Sequence, residues 1–248
     1  MKDRRNSGRP LVLFSASRER ACSYLPDREE QMVLTDLQAA DEPARLHDVL
    51  SQAGFRRSHQ VAYRPACVGC DACVPVRIPV ADYRATRSQR RILRRNRDLE
   101  VNVAAPQASQ EHHALFRRYI ETRHQGGGMS MMDYGDFRAM ICDTPVDTRL
   151  VEARTADGVL VAVSLTDWME NGLSGVYKFF DPDMARRSLG TWLILWHIAH
   201  ALETGRAHVY LGYWIAGSET MSYKGNFRPL QALTDDGWTD LPPRSARP

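Results

Sequence analysis

Residues 149–180 read RLVEARTADGVLVAVSLTDWMENGLSGVYKFF, and their pattern sets the architecture of the second half of the chain. The apolar runs 149–154, 159–167 and 173–180 are separated by the pairs Asp157-Gly158 and Asn171-Gly172. Such pairs between apolar runs are typical of tight β-hairpin turns, because these residues tolerate the backbone conformation that the turns need. The stretch therefore predicts three consecutive antiparallel strands.

The residues that follow predict a helix and a further strand. Ser188 is a suitable cap for a helix that reaches about Glu203, Gly205 ends this helix, and residues 207–213 have the composition of a strand. Strands in hairpins followed by a helix and another strand indicate the α+β class. This order resembles the core of the N-acetyltransferase-like (GNAT) fold, a mixed sheet with helices, although a likeness of layout does not establish chemistry.

The first hundred residues have a different pattern, and we expect two domains. Residues 11–100, with a cysteine cluster and an arginine-rich helix, form an N-terminal domain that packs on a GNAT-like domain of residues 105–240. Within the N-terminal domain, residues 74–80 alternate apolar residues with prolines. This alternation is typical of an edge strand, since proline cannot donate a ladder hydrogen bond.

The positive charge of the chain is concentrated in one segment. The net charge of the 248 residues is only +3, yet residues 84–97 read RATRSQRRILRRNR and hold seven arginines and no acid. Without those seven arginines, 26 basic residues face 30 acidic ones, so the rest of the chain has a net charge of −4. The net charge of the chain therefore says little about its binding partners, whereas the concentration of positive charge in residues 84–97 is informative.

The arginines of this segment fall on one face of a predicted helix. Arg84, Arg87, Arg91 and Arg94 are spaced by three, four and three residues. Like charges at this spacing repel by about 0.2–0.5 kcal/mol per pair, which an anionic partner would relieve; a solvated surface face is the alternative interpretation. Guanidinium groups suit phosphates, and with no aromatic residue interleaved we expect contact with a nucleic-acid backbone rather than base stacking.

Three cysteines, Cys67, Cys70 and Cys73, lie within seven residues, and Cys22 is the candidate for a fourth ligand. Four such ligands suit tetrahedral zinc or an iron–sulfur cluster. The alternative is that reduced thiols pack a loop without a metal. Closely spaced cysteines that bind a metal or stay reduced are typical of cytoplasmic proteins, whereas a disulfide scaffold is typical of secreted ones.

We expect neither a targeting segment nor a membrane span. The apolar run 11–14 is shorter than the roughly 7–15 residues of a signal-peptide core. The longest apolar run of the later helix, 192–196, is far below the ~18 residues of a membrane-spanning helix. The sequence therefore predicts a cytoplasmic protein with no membrane partner.

A loop in the second half resembles the R/Q-x-x-G-x-G/A pyrophosphate-binding signature of GNAT acetyltransferases, with Arg187, Gly190 and Trp192 at the three defined positions. Trp192 departs from the signature, and its bulk would obstruct the close backbone approach that a pyrophosphate needs. An acetyltransferase that uses acetyl-CoA is therefore a disfavoured alternative. His124, which precedes a run of three glycines, is a further candidate catalytic residue, although a lone histidine is more often structural.

Several segments, taken in order, resemble one family more specifically than any single motif does. They are CSYLPDREEQ from Cys22, GFRRSHQVAYRPACVGCDACVPVRI from Gly54, SQRRILRRNRDL from Ser88, RHQGGGM from Arg123, VYKFFDPDMARRSLGTWLI from Val176, VYLGYWI from Val209 and MSYKGNFRP from Met221. Over roughly residues 11–238 the chain resembles the arginyl/leucyl-tRNA–protein transferases, most closely the bacterial branch of aspartate/glutamate leucyltransferases.

The resemblance implies a reaction in which the α-amino group of an N-terminal aspartate or glutamate attacks an aminoacyl ester on tRNA. A peptide bond forms, and the tagged protein enters the N-degron route of degradation. Because the α-amino pKa is about 7.7–8.0 and the ester is already activated, alignment and charge stabilisation suffice without a covalent nucleophile. Leucine rather than arginine as the donated residue follows from the family branch alone, and the transfer is expected to need no cofactor.

The resemblance also implies roles for particular residues. The phosphates of the tRNA would contact the arginine face, chiefly Arg87, Arg90, Arg91, Arg94 and Arg95. The acidic side chain of the protein substrate needs a cation, for which the candidates are Lys178, Lys224 and Arg228. The amine or the ribose oxygen would be oriented by the candidate catalytic residues Tyr177, Asp181 and Tyr223.

Some eukaryotic members of the family are associated with a metal or an iron–sulfur cluster on N-terminal cysteines of different spacing. Zinc or an iron–sulfur cluster at Cys22, Cys67, Cys70 and Cys73 is therefore only a weak expectation for this chain. A metal-dependent nucleic-acid binder without enzymatic activity is the remaining rival interpretation, and it leaves the second half of the chain without a role.

Overall fold

The computed structural model describes residues 11–123, 128–218 and 220–242. The N-terminal strands are β1 (Ser15–Ala16), β2 (Arg20–Ala21), β3 (Glu29–Glu30), β4 (Met32–Asp36), β5 (Arg56–Ser58) and β6 (Val61–Pro65). Strands β1, β4, β6 and β5 form one sheet in that order, while β2 and β3 pair separately. Helix α1 (Pro43–Gln52) connects β4 to β5, and its Leu50 packs with Leu37 and Ala62 in a small core of their own.

A large mixed sheet holds the remaining described strands. They are β7 (Val74–Pro79), β8 (Glu100–Ala104), β9 (Thr148–Arg154), β10 (Leu160–Trp168), β11 (Gly172–Phe180), β12 (His208–Trp214), β13 (Gln231–Thr234) and β14 (Gly237–Asp240). Their order across the sheet is β14-β13-β7-β12-β11-β10-β9-β8. Only β11 and β12 run parallel among these described neighbours. The predicted α+β class is confirmed.

Helices cover both faces of this sheet. The remaining helices in the described part of the chain are α2 (Arg87–Arg95), α3 (Gln110–Arg123), α4 (Tyr134–Cys142) and α5 (Leu189–Glu203), with short 3₁₀ turns at Gly128–Met131, Pro182–Arg187 and Ser222–Asn226. Helix α5 belongs to one hydrophobic core and helices α3 and α4 belong to another. Adjacent residues of β9, Leu150 and Val151, enter different cores, so the two cores lie on opposite sides of the sheet.

None of the described helices combines the length and the hydrophobicity that a bilayer crossing demands.

The hairpins predicted from residues 149–180 are confirmed by β9, β10 and β11, which are consecutive antiparallel neighbours. Gly158 has a φ of +85°, as its turn requires. The capping role predicted for Ser188 is wrong, because its side chain makes no capping hydrogen bond to α5. Its backbone is left-handed, with a φ of +54°, since Ser188 also terminates the preceding 3₁₀ turn.

The prediction that residues 74–80 form an edge strand is wrong. Strand β7 lies inside the large sheet, between β12 and β13. Its prolines are tolerated there because β13 pairs only with Val76 and Arg77, between Pro75 and Pro79. The division of the chain into domains 11–100 and 105–240 stays a prediction, and β7 places a strand of the first range within the sheet of the second.

A buried ion pair fastens the N-terminal sheet to the large one. Arg57 of β5 donates from Nε and Nη2 to the two carboxylate oxygens of Asp167 on β10, at 2.8 and 2.7 Å. Asp167 also accepts a hydrogen bond from Thr148 at 2.7 Å, and His47 of α1 lies 3.5 Å away. Because both charged side chains are almost inaccessible to water, their desolvation is offset only by this complete set of partners.

Replacing Asp167 with asparagine should lower the free energy of unfolding by about 3–5 kcal/mol, because the Arg57 guanidinium would stay buried without its countercharge. Urea denaturation of the wild-type and variant chains measures this loss. The matched control is Asp147→Asn, which breaks the exposed pair of Asp147 with Arg149 and should cost at most about 1 kcal/mol. Equal losses in the two variants would contradict a structural role for the buried pair.

Candidate active site

The parallel strands β11 and β12 stop pairing partway along their length and separate. They pair only between residues 172–174 and 208–210. Beyond that point the Arg56 guanidinium lies between them and donates to the carbonyl oxygens of Gly175 at 3.0 Å, Val176 at 3.1 Å and Leu211 at 3.3 Å. The arginine thus satisfies backbone groups that no longer meet across the ladder. It also brings a positive charge to the place where the two strands separate, which we call the cleft.

Gly212 makes room for this arginine. Its φ is +72°, a conformation that side-chain-bearing residues rarely adopt. A Cβ atom at this position would lie 1.6 Å from Nη1 of Arg56. The glycine in the segment VYLGYWI is therefore required by the close approach of the guanidinium.

Lys178 lies on β11 beyond the point where the strands separate. The Lys178 residue is half-buried, and burial is the largest influence on its ammonium group. No hydrogen bond or ion pair of this ammonium is formed within the described part of the chain. Burial, with a smaller contribution from the charge of Arg56, lowers the pKa of Lys178 to about 7.

Lys224 brings a third cation to the same region. Its ammonium group is buried and donates to the carbonyl oxygen of Tyr213 at 2.5 Å and to the sulfur of Met221 at 3.2 Å. Burial, then Arg56 and Lys178, hold the pKa of Lys224 well below its usual value. Among the described residues, no carboxylate contributes to the pKa shift of either lysine.

Arg228, the other candidate cation, is engaged by backbone. Its guanidinium donates to the carbonyl oxygens of Gly225 at 3.2 Å, Pro242 at 3.0 Å and Leu241. These bonds attach the 3₁₀ turn Ser222–Asn226 to the end of the described chain. The structure therefore gives Arg228 a visible anchoring role, and its role toward substrate stays a prediction.

The candidate catalytic tyrosines differ in their surroundings. The Tyr177 hydroxyl is buried without a hydrogen-bond partner among the described residues, and burial raises its pKa. Tyr223 is 36% exposed, and partial burial raises its pKa as well. A buried hydroxyl without a partner is uncommon in protein interiors, which makes Tyr177 worth testing.

Asp181 follows β11 directly. Its carboxylate accepts hydrogen bonds from Arg118 at 2.8 Å and from the backbone N–H of Asp183 at 3.0 Å. The second bond caps the 3₁₀ turn Pro182–Arg187. Asp181 thus holds this turn against α3 in the structure, and its proposed role in orienting the substrate stays a prediction.

Sequence reasoning did not single out Arg56 or His197. His197 of α5 is buried, and its Nε2 atom lies 2.9 Å from the Thr166 hydroxyl. Burial, and to a smaller extent the charge of Lys178, lower the pKa of His197 to about 3, so the imidazole is neutral. The sequence did contain a signal for each residue. His197 lies in an otherwise apolar helix, and Arg56 belongs to an arginine pair at the start of a strand.

The arginine face lies on α2, which Thr86 and Gln89 cap reciprocally. All five arginines predicted to contact tRNA have exposed side chains. They are Arg87, Arg90, Arg91, Arg94 and Arg95. None of them forms an ion pair with an acid of the described chain, so the face has no internal compensation. Arg84 precedes α2 and donates to the carbonyl oxygens of Ala81 and Tyr83, so its predicted place on the helical face is wrong.

The four N-terminal cysteines are free thiols that share one neighbourhood. Burial first, and then the proximity of Cys22, Cys67 and Cys70, raise the pKa of Cys73 to about 11. The described residues nevertheless contain no group of three or more histidine, cysteine or acidic side chains arranged to hold a metal ion. Cys67 is instead engaged with the backbone of Gln31. The expectation of zinc or an iron–sulfur cluster here is not supported.

An open hollow of about 800 Å³ lies beside Cys67 and Cys70. Its lining includes four acidic residues and one arginine, namely Glu19, Asp27, Glu29, Glu30 and Arg28, and neither Arg56, Lys178 nor Lys224 contributes to it. Negative charge at this lining would repel an acidic substrate. The cleft at Lys178 is therefore the better candidate for the active site.

The loop that resembles a pyrophosphate-binding signature is filled by the protein itself. The Trp192 side chain is buried in the core, and Arg187 pairs with Asp98 at 2.8 Å. A Cβ atom on Gly190 would lie 2.9 Å from the ring of Phe180. His124 lies outside the described residues.

Two family models match the chain: Arginine-tRNA-protein transferase, C terminus, over residues 111–234, and Arginine-tRNA-protein transferase, N terminus, over residues 20–91. An aspartate/glutamate leucyltransferase of Paramagnetospirillum magneticum is 48% identical over 235 residues, which cover 95% of this chain and 96% of the relative. Another, of Parvibaculum lavamentivorans, is 48% identical over 229 residues, covering 92% and 95%.

Among solved structures, that of L-PGS from Bacillus licheniformis is 13% identical, with a TM-score of 0.46, and the match covers 67% of this chain and 49% of that one. A likeness at this level carries no argument about function. The two family models and the full-length relatives identify the family. The chain belongs to the arginine-tRNA-protein transferase family, in the branch of the aspartate/glutamate leucyltransferases.

Proposed function

We propose that this chain transfers leucine from Leu-tRNA to the N-terminal aspartate or glutamate of proteins. Family membership supports the reaction, and the names of the full-length relatives support the donor and the acceptor. The observation that carries the proposal is the Lys178 ammonium, which lies on β11 beyond the paired part of β11 and β12 and has no carboxylate partner among the described residues. An acidic side chain of the substrate supplies the missing countercharge.

In the proposed mechanism, Lys178 binds the substrate carboxylate and thereby aligns the α-amino group with the ester. The neutral amine attacks the ester carbonyl carbon, the new C–N bond forms, and the bond to the ribose oxygen breaks. The proton of the amine ends on the released ribose hydroxyl of the tRNA. Holding two reactants in this geometry is itself a large part of the catalysis, so no covalent enzyme intermediate is needed.

The polar groups around the cleft have proposed roles in this alignment. Tyr177, whose hydroxyl has no hydrogen-bond partner among the described residues, and the partly exposed Tyr223 are proposed to orient the amine or the ribose oxygen. Asp181 positions the adjoining turn through Arg118. Arg56 is held by backbone carbonyls and adds positive potential to the cleft. Lys224 donates to the carbonyl oxygen of Tyr213, so it is not a free hydrogen-bond donor.

The exposed arginines of α2 are proposed to bind tRNA phosphates. A face of cations with no internal acid partner gains from an anionic ligand that relieves the mutual repulsion. We propose that the reaction takes place in the cytoplasm, where charged tRNA is supplied, with aminoacyl-tRNA as co-substrate and without a cofactor.

The transfer is tested by mixing the purified chain with Leu-tRNA and peptides that begin with Asp, Glu, Lys or Ala. The masses of the products are measured by mass spectrometry. We expect the mass of one leucine to be added to the Asp and Glu peptides only. Addition with Arg-tRNA and not with Leu-tRNA would replace the proposed donor by arginine. No product with either charged tRNA would contradict the proposed reaction.

Substitution of Lys178 by methionine should reduce kcat/KM for the Asp peptide at least about 30-fold, because the substrate carboxylate would lose its partner in a desolvated site. The same substitution at Arg228 gives a matched comparison, since both variants lose one positive charge. Loss of the preference for acidic N-termini in Arg228→Met rather than in Lys178→Met would move the carboxylate site to Arg228.

The pH dependence follows from the lowered pKa of Lys178. Burial disfavours its charged form, so the free enzyme loses this cation as the pH rises through about 7. The substrate amine becomes reactive over the same range, with a pKa of about 7.7–8.0, so kcat/KM should peak between the two values. Lys178→Arg keeps its charge, and its kcat/KM should rise to a plateau above about pH 8. If kcat/KM of the wild-type chain and of Lys178→Arg fell in the same way at alkaline pH, Lys178 would be excluded as the titrating group.

Reversal of Arg90 and Arg94 to glutamate should weaken tRNA binding, and the slope of log affinity against log salt should fall by about 0.9 for each lost phosphate contact on a duplex. Fluorescence anisotropy with labelled uncharged tRNA measures both quantities. The control variant reverses Arg18 and Arg138, two exposed arginines outside α2. Equal effects in the two variants would mean that only the overall charge matters.

A further inference from the structure

The 3₁₀ turn Pro182–Arg187 is fastened to the carboxyl end of α2. The Arg95 guanidinium donates to the carbonyl oxygen of Arg186, and the Asn96 amide donates to that of Arg187 at 2.9 Å. Arg187 in turn donates to both carboxylate oxygens of Asp98, at 2.9 and 2.8 Å. The turn and the arginine helix therefore form one continuous surface.

The other side of this turn is fastened to α3. Arg118 donates to Asp181 at 2.8 Å and to Asp183 at 2.7 Å. The turn also follows directly on β11, which carries Lys178 and ends at Phe180. The turn thus bridges the arginine helix and the mouth of the cleft.

Two arginines on this bridge lack an acidic partner. Arg186 is exposed on the turn, and Arg123 is exposed at the last residue of α3, with its guanidinium carbon 5.8 Å from the centre of the Phe180 ring. Neither forms an ion pair within the described part of the chain. Their neighbours Arg118 and Arg187 are already neutralised, and Arg118 even faces two carboxylates, so Arg123 and Arg186 are the cations left for an outside anion.

The mouth of the cleft also carries aromatic rings, which α2 does not. Phe180 packs against Tyr119 with ring centres 4.9 Å apart. The Tyr223 ring is exposed at 36%. Aromatic rings beside arginines are the usual lining for unpaired nucleotides, whereas arginines alone suit a duplex backbone.

We propose that Arg186 and Arg123 bind the phosphates of the single-stranded 3′ end of the tRNA, on a path from the α2 arginines to the cleft that holds Lys178. The duplex lies on α2, and the unpaired end passes over the bridge so that its terminal ribose reaches the cleft. This inference rests on the proposed function, because it takes aminoacyl-tRNA as the substrate.

The test uses two uncharged RNA minihelices with the same duplex, one with a four-nucleotide 3′ overhang and one blunt. Anisotropy at constant salt gives the affinity of each for the full chain, and the ratio of the two affinities isolates the overhang. The wild-type chain should prefer the overhung RNA. Arg123→Gln combined with Arg186→Gln should reduce that preference by about 3- to 30-fold and leave the affinity for the blunt RNA unchanged.

The control variants separate this path from general charge. The variant Arg90→Gln with Arg94→Gln should lower the affinity for both RNAs by the same factor. The variant Arg18→Gln with Arg138→Gln should change neither the preference for the overhang nor the affinity for the blunt RNA. In the bridge variant, the salt slope for the overhung RNA should fall by about 0.7 for each lost contact to a single strand. Circular dichroism and thermal melting confirm that each variant is folded.

Three results would overturn the inference: no preference of the wild-type chain for the overhang, an unchanged preference in the bridge variant, or an equal loss for both RNAs in that variant. Because binding of uncharged RNA does not depend on transfer, its outcome is distinct from that of the leucine assay. A chain that shows the overhang effect without transferring leucine would contradict the proposed function and retain this path.

Discussion

The buried contact between Arg57 and Asp167 determines how the two parts of the chain meet. Asp167 lies near the end of β10, an inner strand of the large sheet, and Arg57 comes from the small N-terminal sheet. Removing two charges from water costs several kcal/mol per ion, so this contact is stable only when Thr148 and His47 complete the surroundings of the carboxylate. The N-terminal sheet can therefore dock in one position, and Arg56, the preceding residue, is delivered to the separation between β11 and β12.

The position of Arg56 accounts for the electrostatics of the candidate site. Its guanidinium adds to the burial that lowers the pKa of Lys178 and Lys224, and no carboxylate among the described residues offsets either shift. Proteins usually pair buried charges, so an unpaired ammonium costs stability, and a negatively charged ligand removes that cost. In the proposed reaction that ligand is the side chain of the N-terminal aspartate or glutamate.

Separate surfaces then serve the two substrates. The cleft offers one enclosed cation to a small carboxylate, while α2 offers a row of exposed cations to an extended polyanion. The turn Pro182–Arg187 connects them through fixed hydrogen bonds to α2 and α3. This connection matters for the proposed transfer, because the ester at the end of a large tRNA must be aligned with an amine held in the cleft to within a few tenths of an ångström.

Local pattern in the sequence determined much of the fold: the hairpins of residues 149–180, helix α5 and the arginine helix follow from turn residues, apolar runs and charge spacing, all of which act between near neighbours. It also pointed to Lys178 and Lys224, through the resemblance to a family. Tertiary structure alone decided that β7 lies inside the sheet, that Arg228 is engaged by backbone carbonyls, and that Arg56 lies between β11 and β12. These facts depend on contacts between residues far apart in the chain, and the charge state of a lysine depends on which of those contacts bury it.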